Sequence, residues 1–237
     1  MIDYTAFKKP FQDIKTLIIL IIIQFIPILG WMNKGYFLEC GYLAIYRRNE
    51  LPNFKEASHY LERGFTSFVI QGIYLLPVVF VLWKLLAYFF ELLGSFNESI
   101  ATSVGLASID ILYNSLMRYS ILGGVFLFLG LYVGPVAVLN YRLYGKFSAA
   151  FSPTLLNFIL KPKYLLYWFM GTVYLFGLLG IAYWFMSITY WLSYLLIPIA
   201  LVIGRMTLYY FVGNAYSEIY EQTNMKKKNQ KNNYLYN

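Results

Sequence analysis

Residues 16–46 read TLIILIIIQFIPILGWMNKGYFLECGYLAIY, and this stretch decides the fold of the chain. It is an aliphatic run interrupted by Pro27, which removes a backbone donor, and by Gly30, which loosens the chain. One straight helix over these residues would be about 46 Å long, against roughly 30 Å for the hydrocarbon core of a bilayer. We therefore predict an N-terminal broken hairpin of two short helices with its tip at residues 27–30. This hairpin either re-enters on one side or barely crosses and thins the bilayer.

The composition is that of a membrane protein. Of the 237 residues, 59% are apolar and only 13% are charged, which is about half the usual charged fraction of ~25%. A water-soluble domain of this length could not cover so much apolar side chain, so the surrounding solvent must be lipid. Lysines precede the first apolar run as they do in a signal peptide, but residues 31–33 do not fit a cleavage site. We expect this segment to be retained.

The later apolar segments predict four full spans, at residues 65–93, 119–139, 164–187 and 194–214. Two short interfacial helices are expected in the polar connections. One follows Asn53, which forms a capping box with Glu56, and the other follows Ser152-Pro153. The predicted fold is therefore all-α, a polytopic transmembrane helix bundle.

We expect three parts along the chain: a cytoplasmic segment at 1–15, a single transmembrane domain at 16–214 and a basic, disordered cytoplasmic tail at 215–237. The net charge of +8 arises at the ends of apolar segments, which does not favour nucleic-acid binding. Fifteen of the nineteen basic residues lie in 1–15, 47–63, 140–163 and the tail. By the positive-inside rule these regions face the cytoplasm, and residues 94–118 and 188–193 face outward. We therefore expect a multi-pass protein of the cell membrane with both termini cytoplasmic.

Several short motifs resemble one known family. They are Pro27-Ile28-Leu29-Gly30, Gly35-Tyr36, Gly41-Tyr42, Tyr46-Arg47-Arg48, Leu51-Pro52-Asn53-Phe54 and Leu75-Leu76-Pro77. With the broken hairpin before them, they resemble the prokaryotic membrane proteins of domain of unknown function family 4013, over about residues 12–215. Family members more often carry an acidic, tryptophan-bearing loop after the Leu-Pro, where this chain has Phe54 and Lys55. The resemblance implies a polytopic membrane domain and no assigned activity, so no functional residues carry over.

Arg205 and Glu39 are the charged candidates for an intramembrane site. A lipid-facing arginine at the depth of Arg205 costs at least ~2.5 kcal/mol, so this side chain is expected to face protein or water. It either contacts an anion, a headgroup or a coupling charge, or it forms a structural pair or snorkels to the headgroups. Glu39 is either a proton or cation site or a fixed ion pair with Arg205 or Lys34. Because both lie at similar distances from the cytoplasmic face, we predict that Arg205 and Glu39 meet.

Three neutral polar residues complete the candidate set. Gln24, Gln71 and Asn140 are expected to bridge helices by hydrogen bonds, the usual role of such residues in membranes. The one cysteine, Cys40, and the one histidine, His59, leave no metal cluster in this sequence. Hydrolase, phosphate-loop and paired-carboxylate motifs are absent from it as well, so we expect no enzyme, cofactor or metal.

The sequence favours a transporter-like or permease-like role, because helices broken inside the membrane often build substrate sites. The alternative is a non-catalytic membrane scaffold or assembly factor. Such a protein would use its interfacial helices and basic tail to hold partner proteins or membrane lipids, with anionic headgroups at the cytoplasmic face. Few polar residues line the spans, which keeps this alternative open.

The charge count makes a testable prediction of topology. Single cysteines at Ser95 and Ser148, in a Cys40→Ser background, are labelled with an impermeant thiol reagent in intact cells. We expect labelling at position 95, which the charge count places outside, and none at position 148. Labelling at 148 but not at 95 would reverse the orientation.

Overall fold

The computed structural model describes residues 4–48, 50–54, 57–99 and 105–235, and these ranges contain α-helices, short 3-10 helices and no strand. The helices are α1 (Ile14–Gln24), α2 (Gly30–Ile45), α3 (Ala57–Ser99), α4 (Gly105–Tyr144), α5 (Thr154–Ile159), α6 (Pro162–Ile188) and α7 (Tyr190–Leu235). Short 3-10 helices lie at Tyr4–Phe7, Lys9–Phe11 and Phe147–Phe151. The predicted all-α fold is confirmed.

Four of these helices are long and apolar enough to cross a membrane. Their candidate spans within the described ranges are Ala57–Glu91, Tyr113–Tyr144, Pro162–Phe185 and Tyr194–Tyr220. Each of the four spans predicted from the sequence lies in one of these helices, so the multi-pass architecture is confirmed.

The N-terminal hairpin is broken where the sequence predicts. α1 ends at Gln24, and residues 25–29 around Pro27 turn the chain before α2 begins at Gly30. The amide of Asn33 then donates to the carbonyl of Leu20 at 2.8 Å and to Oε1 of Gln24 at 2.9 Å, which folds α2 back on α1. Two short helices are therefore present, while the re-entrant path stays a prediction.

α1 begins at a side-chain cap. The carboxylate of Asp13 accepts from the Thr16 amide at 3.1 Å and from the Thr16 hydroxyl at 2.6 Å. These hydrogen bonds favour the ionised form and hold the pKa of Asp13 below its usual value. The cap fixes the start of α1 at Ile14, with two polar residues between it and the aliphatic run that begins at Leu17.

The polar connections differ from the prediction in one place. Residues 57–64, expected as a separate interfacial helix, are the first turns of α3 and run into the span without a break. No proline separates them from the apolar run, and Gly64 packs against α2 instead of ending the helix. The second expected helix is present as α5, with Leu155 and Phe158 buried.

The C-terminal region also differs from the prediction. α7 continues to Leu235, so the backbone of the segment expected to be a disordered tail extends the last helix. The polar residues after Asn214 are no barrier to a helix that is already nucleated, because propagation adds one hydrogen bond per residue.

By its internal contacts the chain divides into two units: unit 1 comprises residues 1–70 and 135–237, and unit 2 comprises residues 71–134. In unit 2, segments of α3 and α4 run antiparallel. A Cβ at Gly130 would press on Leu75, one at Gly123 would touch Val81, and the rings of Tyr88 and Tyr119 lie 5.4 Å apart. Small residues on α4 thus let the two helices approach closely.

In unit 1, α7 is the central helix, with α6, α2 and α1 packed against it. Its apolar window is 61% buried, whereas that of α6 is only 22% buried. The buried face of α7 is continuous from Met206 to Val212, and it includes Tyr210 and Phe211. α7 therefore supplies the core on which the other helices of unit 1 depend.

Two pairs of glycines bring α2 into backbone contact with its neighbours. A Cβ at Gly213 of α7 would overlap the carbonyl of Gly41, and one at Gly41 would lie 3.0 Å from the carbonyl oxygen of Tyr209. Likewise a Cβ at Gly35 would overlap the carbonyl of Tyr60 on α3. The reciprocal contact places Gly64 against the carbonyl of Trp31, so any larger residue must separate these helices.

We predict that Gly35→Ala destabilises the protein. The added methyl group has no space beside the Tyr60 carbonyl, and such overpacking costs on the order of 1–3 kcal/mol. Thermal unfolding of the purified full-length protein in detergent measures the loss. Gly180→Ala on α6 is the matched control, because nothing lies within 4 Å of the position of its Cβ. Equal melting temperatures for the two variants would contradict the close approach of α2 and α3.

Candidate functional site

The most connected charged cluster of unit 1 is an ion triad around Glu39. The guanidinium of Arg142 donates from Nε to Oε2 at 2.8 Å and from Nη2 to Oε1 at 2.9 Å. Arg63 donates from Nη1 to Oε2 at 2.8 Å. The triad ties α2 to the start of α3 and the end of α4. We call this end of unit 1, where α2 and α4 end and α3 and α6 begin, the basic end.

The triad is partly enclosed. The side chains of Glu39, Arg63 and Arg142 are 13%, 25% and 21% exposed. The guanidinium of Arg142 also lies 3.9 Å from the ring centre of Tyr42, which is a cation–π contact one turn after Glu39 on α2. Hydrogen bonds between guanidinium groups and a carboxylate are charge-assisted and among the stronger ones in proteins. Glu39 is therefore an ion-pair residue in this structure, with Arg63 and Arg142 as its partners.

The predicted pairing of Glu39 with Arg205 is wrong. Neither residue forms an ion pair with the other within the described ranges, and both carboxylate oxygens of Glu39 serve Arg63 and Arg142. The prediction assumed that equal distances from the helix ends bring the two residues together. Gly41 on α2 instead lies against Tyr209 and Gly213 on α7, so Arg205 stands about one turn before the level of Glu39. The sequence did contain a signal for the correct partners of Glu39. The charge count had placed the basic residues at the start of α3 and the end of α4 on the same face as the end of α2.

Arg205 has a different neighbour, which is Lys34 on α2. Gly41 and Ala44 of α2 lie against Gly213 of α7, and residue numbers rise together along both helices. The helices therefore run parallel, and Lys34 stands at the level of Arg205. Within the part of the chain that the structure describes, neither Lys34 nor Arg205 has a carboxylate partner. They form a pair of half-buried, uncompensated positive charges.

An aromatic wall lies beside Lys34. Its ammonium group is 4.5 Å from the ring centre of Phe68. The Phe68 ring stacks on Trp31 at 5.8 Å, and the ring of Phe65 meets Trp31 edge-on at 5.2 Å. The cationic pair is thus bordered on one side by three aromatic rings from α2 and α3.

The neutral candidates take structural positions. Gln24 accepts from Asn33 and joins α1 to α2. Asn140 donates to the carbonyl of Ala149 at 2.6 Å and accepts from the Tyr216 hydroxyl at 3.0 Å, which joins α4 to α7. The expected bridging role is confirmed for both. Gln71 lies in unit 2 beside Gly134.

Three adjoining grooves open at the basic end, and no sequence motif predicted them. Their volumes are about 420, 430 and 570 Å³, and Tyr144 lines all three. The other lining residues shared by two grooves are Asn140, Thr154, Tyr216 and Tyr220. The abundance of tyrosine in the chain was the only sequence signal for them. A group of three metal-ligating side chains does not occur among the described residues.

Comparison with known proteins gives one match. A family model described as "Protein of unknown function (DUF4013)" matches residues 17–189, which confirms the resemblance stated from the sequence motifs. The match includes Lys34 and the whole ion triad and ends before α7 begins. No curated protein and no solved structure matches the chain.

The triad predicts energetic coupling between Glu39 and Arg142. Glu39→Gln leaves two guanidinium groups without a carboxylate, and Arg142→Gln removes two of the three hydrogen bonds of Glu39, so each variant destabilises the protein. In the double variant part of the loss is recovered, with a coupling free energy on the order of 1–3 kcal/mol. The measurement is thermal or denaturant unfolding of the full-length protein in detergent.

The control cycle combines Glu39→Gln with Arg205→Gln. These residues share no partner, so their effects on the free energy of unfolding are expected to add within about 0.5 kcal/mol. Additive effects of Glu39 and Arg142, or strong coupling of Glu39 and Arg205, would contradict the arrangement described above.

Proposed function

The chain belongs to the family described as "Protein of unknown function (DUF4013)", and because that description assigns no activity, we propose a function from the geometry. The proposal is that this multi-spanning membrane protein is a permease-like carrier of a small organic anion. The observation that carries it is the uncompensated cationic pair of Lys34 and Arg205. Supporting observations are the broken hairpin and the aromatic wall beside Lys34.

The cationic pair is energetically expensive unless an anion joins it. Arg205 lies about 16 Å along the helix from Tyr194 and about 22 Å from Tyr220, which is the middle of the candidate span. A lysine or arginine at such a depth costs roughly 2.5–3.5 kcal/mol on insertion scales. Two such charges side by side add mutual repulsion. A bound anion removes both penalties, and this supports a site that exists to hold one.

The break in the hairpin supports an anion in the same place. α2 begins at Gly30, so its N-terminus and the positive end of its helix dipole lie one turn from Lys34. Helix starts inside the membrane hold anionic substrate groups in several transporter folds. The lysine, the arginine and the helix terminus together favour one negative charge.

The aromatic wall favours an organic anion over a hydrated inorganic one. The rings of Trp31 and Phe68 offer an apolar surface beside the ammonium group of Lys34. A short aliphatic chain attached to a carboxylate would gain about 0.8 kcal/mol for each CH₂ buried against these rings. The proposed substrate class is accordingly a small carboxylate with an apolar part.

We further propose that the protein lies in the cell membrane with the basic end and both termini in the cytoplasm. The basic residues in 1–15, 47–63, 140–163 and the tail support this orientation by the positive-inside rule. Lys34 and Arg205 then lie deeper in the membrane than the triad does.

A second candidate function is a non-catalytic scaffold or assembly factor. The three tyrosine-lined grooves at the basic end favour it, because they offer a polar and aromatic surface to a partner. This candidate requires no substrate at Lys34 and Arg205, which would then serve only the packing of α2 on α7.

The permease proposal predicts charge-dependent binding and flux. The full-length protein is reconstituted in liposomes, and uptake of radiolabelled acetate, butyrate and hexanoate is measured. We expect uptake above that of empty liposomes, with affinity rising along the series. Lys34→Gln and Arg205→Gln are each expected to weaken binding at least about tenfold, which corresponds to ~1.4 kcal/mol.

The control is Lys161→Gln, which removes an exposed positive charge at the basic end. If added carboxylate stabilises the wild-type protein but is not carried across the bilayer, Lys34 and Arg205 form a binding site and the permease proposal is excluded. Absence of both stabilisation and flux in the folded protein would favour the scaffold. Equal losses in Lys161→Gln and Lys34→Gln would contradict the site.

A further inference from the structure

The ion triad carries more positive than negative charge. Two guanidinium groups meet one carboxylate, so the cluster has a net charge of about +1 with all three groups ionised. Each guanidinium has several N–H donors in a planar fork. Arg63 uses Nη1, and Arg142 uses Nε and Nη2. Nη2 and Nε of Arg63 and Nη1 of Arg142 have no acceptor among the described residues.

Both arginine side chains are partly exposed. The side chains of Arg63 and Arg142 are 25% and 21% exposed, so neither is sealed in the core. Arg142 stands two residues before the end of the candidate span at Tyr144, and Arg63 stands near the start of the span on α3. These are the ends of the apolar segments, which is the depth of the lipid headgroups.

We propose that the Arg63–Glu39–Arg142 cluster is a binding site for the phosphate group of an anionic phospholipid. The guanidinium fork matches the geometry of phosphate oxygens, and two such forks facing one anion are a common phosphate site. The rings of Tyr42 and Tyr46, 5.0 Å apart at the end of α2, provide the amphipathic aromatic surface typical of the headgroup region. The exposed Arg48 adds positive charge nearby.

Glu39 has two opposing effects on this site. Its carboxylate fixes the orientation of both guanidinium groups, which prepares their remaining donors for a ligand. Its negative charge also repels the phosphate. Glu39→Gln keeps one acceptor oxygen, replaces the other by a donating amide group and raises the net charge by one, so the variant is expected to bind an anionic lipid more tightly. A purely structural triad predicts no such gain.

This site is independent of the permease proposal. Lys34 and Arg205 contribute no atom to the triad, and the lipid does not need to be transported. Variants of the cationic pair therefore distinguish the lipid site from the permease site, because Lys34→Gln and Arg205→Gln are expected to leave lipid binding unchanged.

The experiment measures lipid binding to the purified full-length protein in detergent by native mass spectrometry and by thermal stabilisation. The probes are phosphatidylglycerol, phosphatidylcholine and inorganic phosphate. The informative variant is the triple change Glu39→Gln, Arg63→Gln and Arg142→Gln. It removes all three charges together and leaves no unpaired one to unfold the protein. Lys161→Gln is the control for a positive charge at the same end.

Wild-type protein is expected to prefer phosphatidylglycerol to phosphatidylcholine by at least tenfold. The triple variant is expected to lose this preference, Glu39→Gln to strengthen it at least threefold, and Lys161→Gln to keep it. An unchanged preference in the triple variant would overturn the site. Stabilisation by inorganic phosphate without any preference for phosphatidylglycerol would overturn the lipid as its source. Unchanged binding in Glu39→Gln would mean that the triad is only structural.

Discussion

A carboxylate inside a helix bundle of the membrane must be matched by positive charge, and at Glu39 that requirement joins three helices. Its two oxygens accept three hydrogen bonds from Arg63 and Arg142, so α2, α3 and α4 are fixed together at the basic end. Leaving one of these partly buried charges unmatched would cost several kcal/mol. Any rearrangement that separates one of these helices from α2 must first break this cluster.

The triad depends in turn on the small residues that flank it on α2. Gly35 admits the backbone of α3, and Gly41 admits the backbone of α7. With both neighbours so close, the short side chain of Glu39 reaches guanidinium groups on two other helices. Packing and electrostatics therefore support one another. Gly35 holds α2 against the helix that carries Arg63, and a Cβ at Gly41 would also press on Leu139 of α4, the helix that carries Arg142.

The helices were predictable from sequence because an apolar run of sufficient length is a strong signal, and Pro27 marked the break in the hairpin correctly. The partner of Glu39 was not predictable in the same way. It depended on which arginines stand beside Glu39, and distances along the sequence fix neither how two helices align nor which helices are neighbours. Residues 57–64 were predicted to be a separate helix because they are polar. They are the start of α3, since a single helix can contain both a polar and an apolar segment.

The charges on α2 explain why the cationic pair stays uncompensated. Lys34 and Glu39 are five residues apart on one helix, about 7.5 Å along its axis. Glu39 would be the nearest counter-charge for Lys34, but its oxygens are already occupied by Arg63 and Arg142. The triad has excess positive charge and cannot neutralise a second cation. The charges of Lys34 and Arg205 are therefore not matched by the triad.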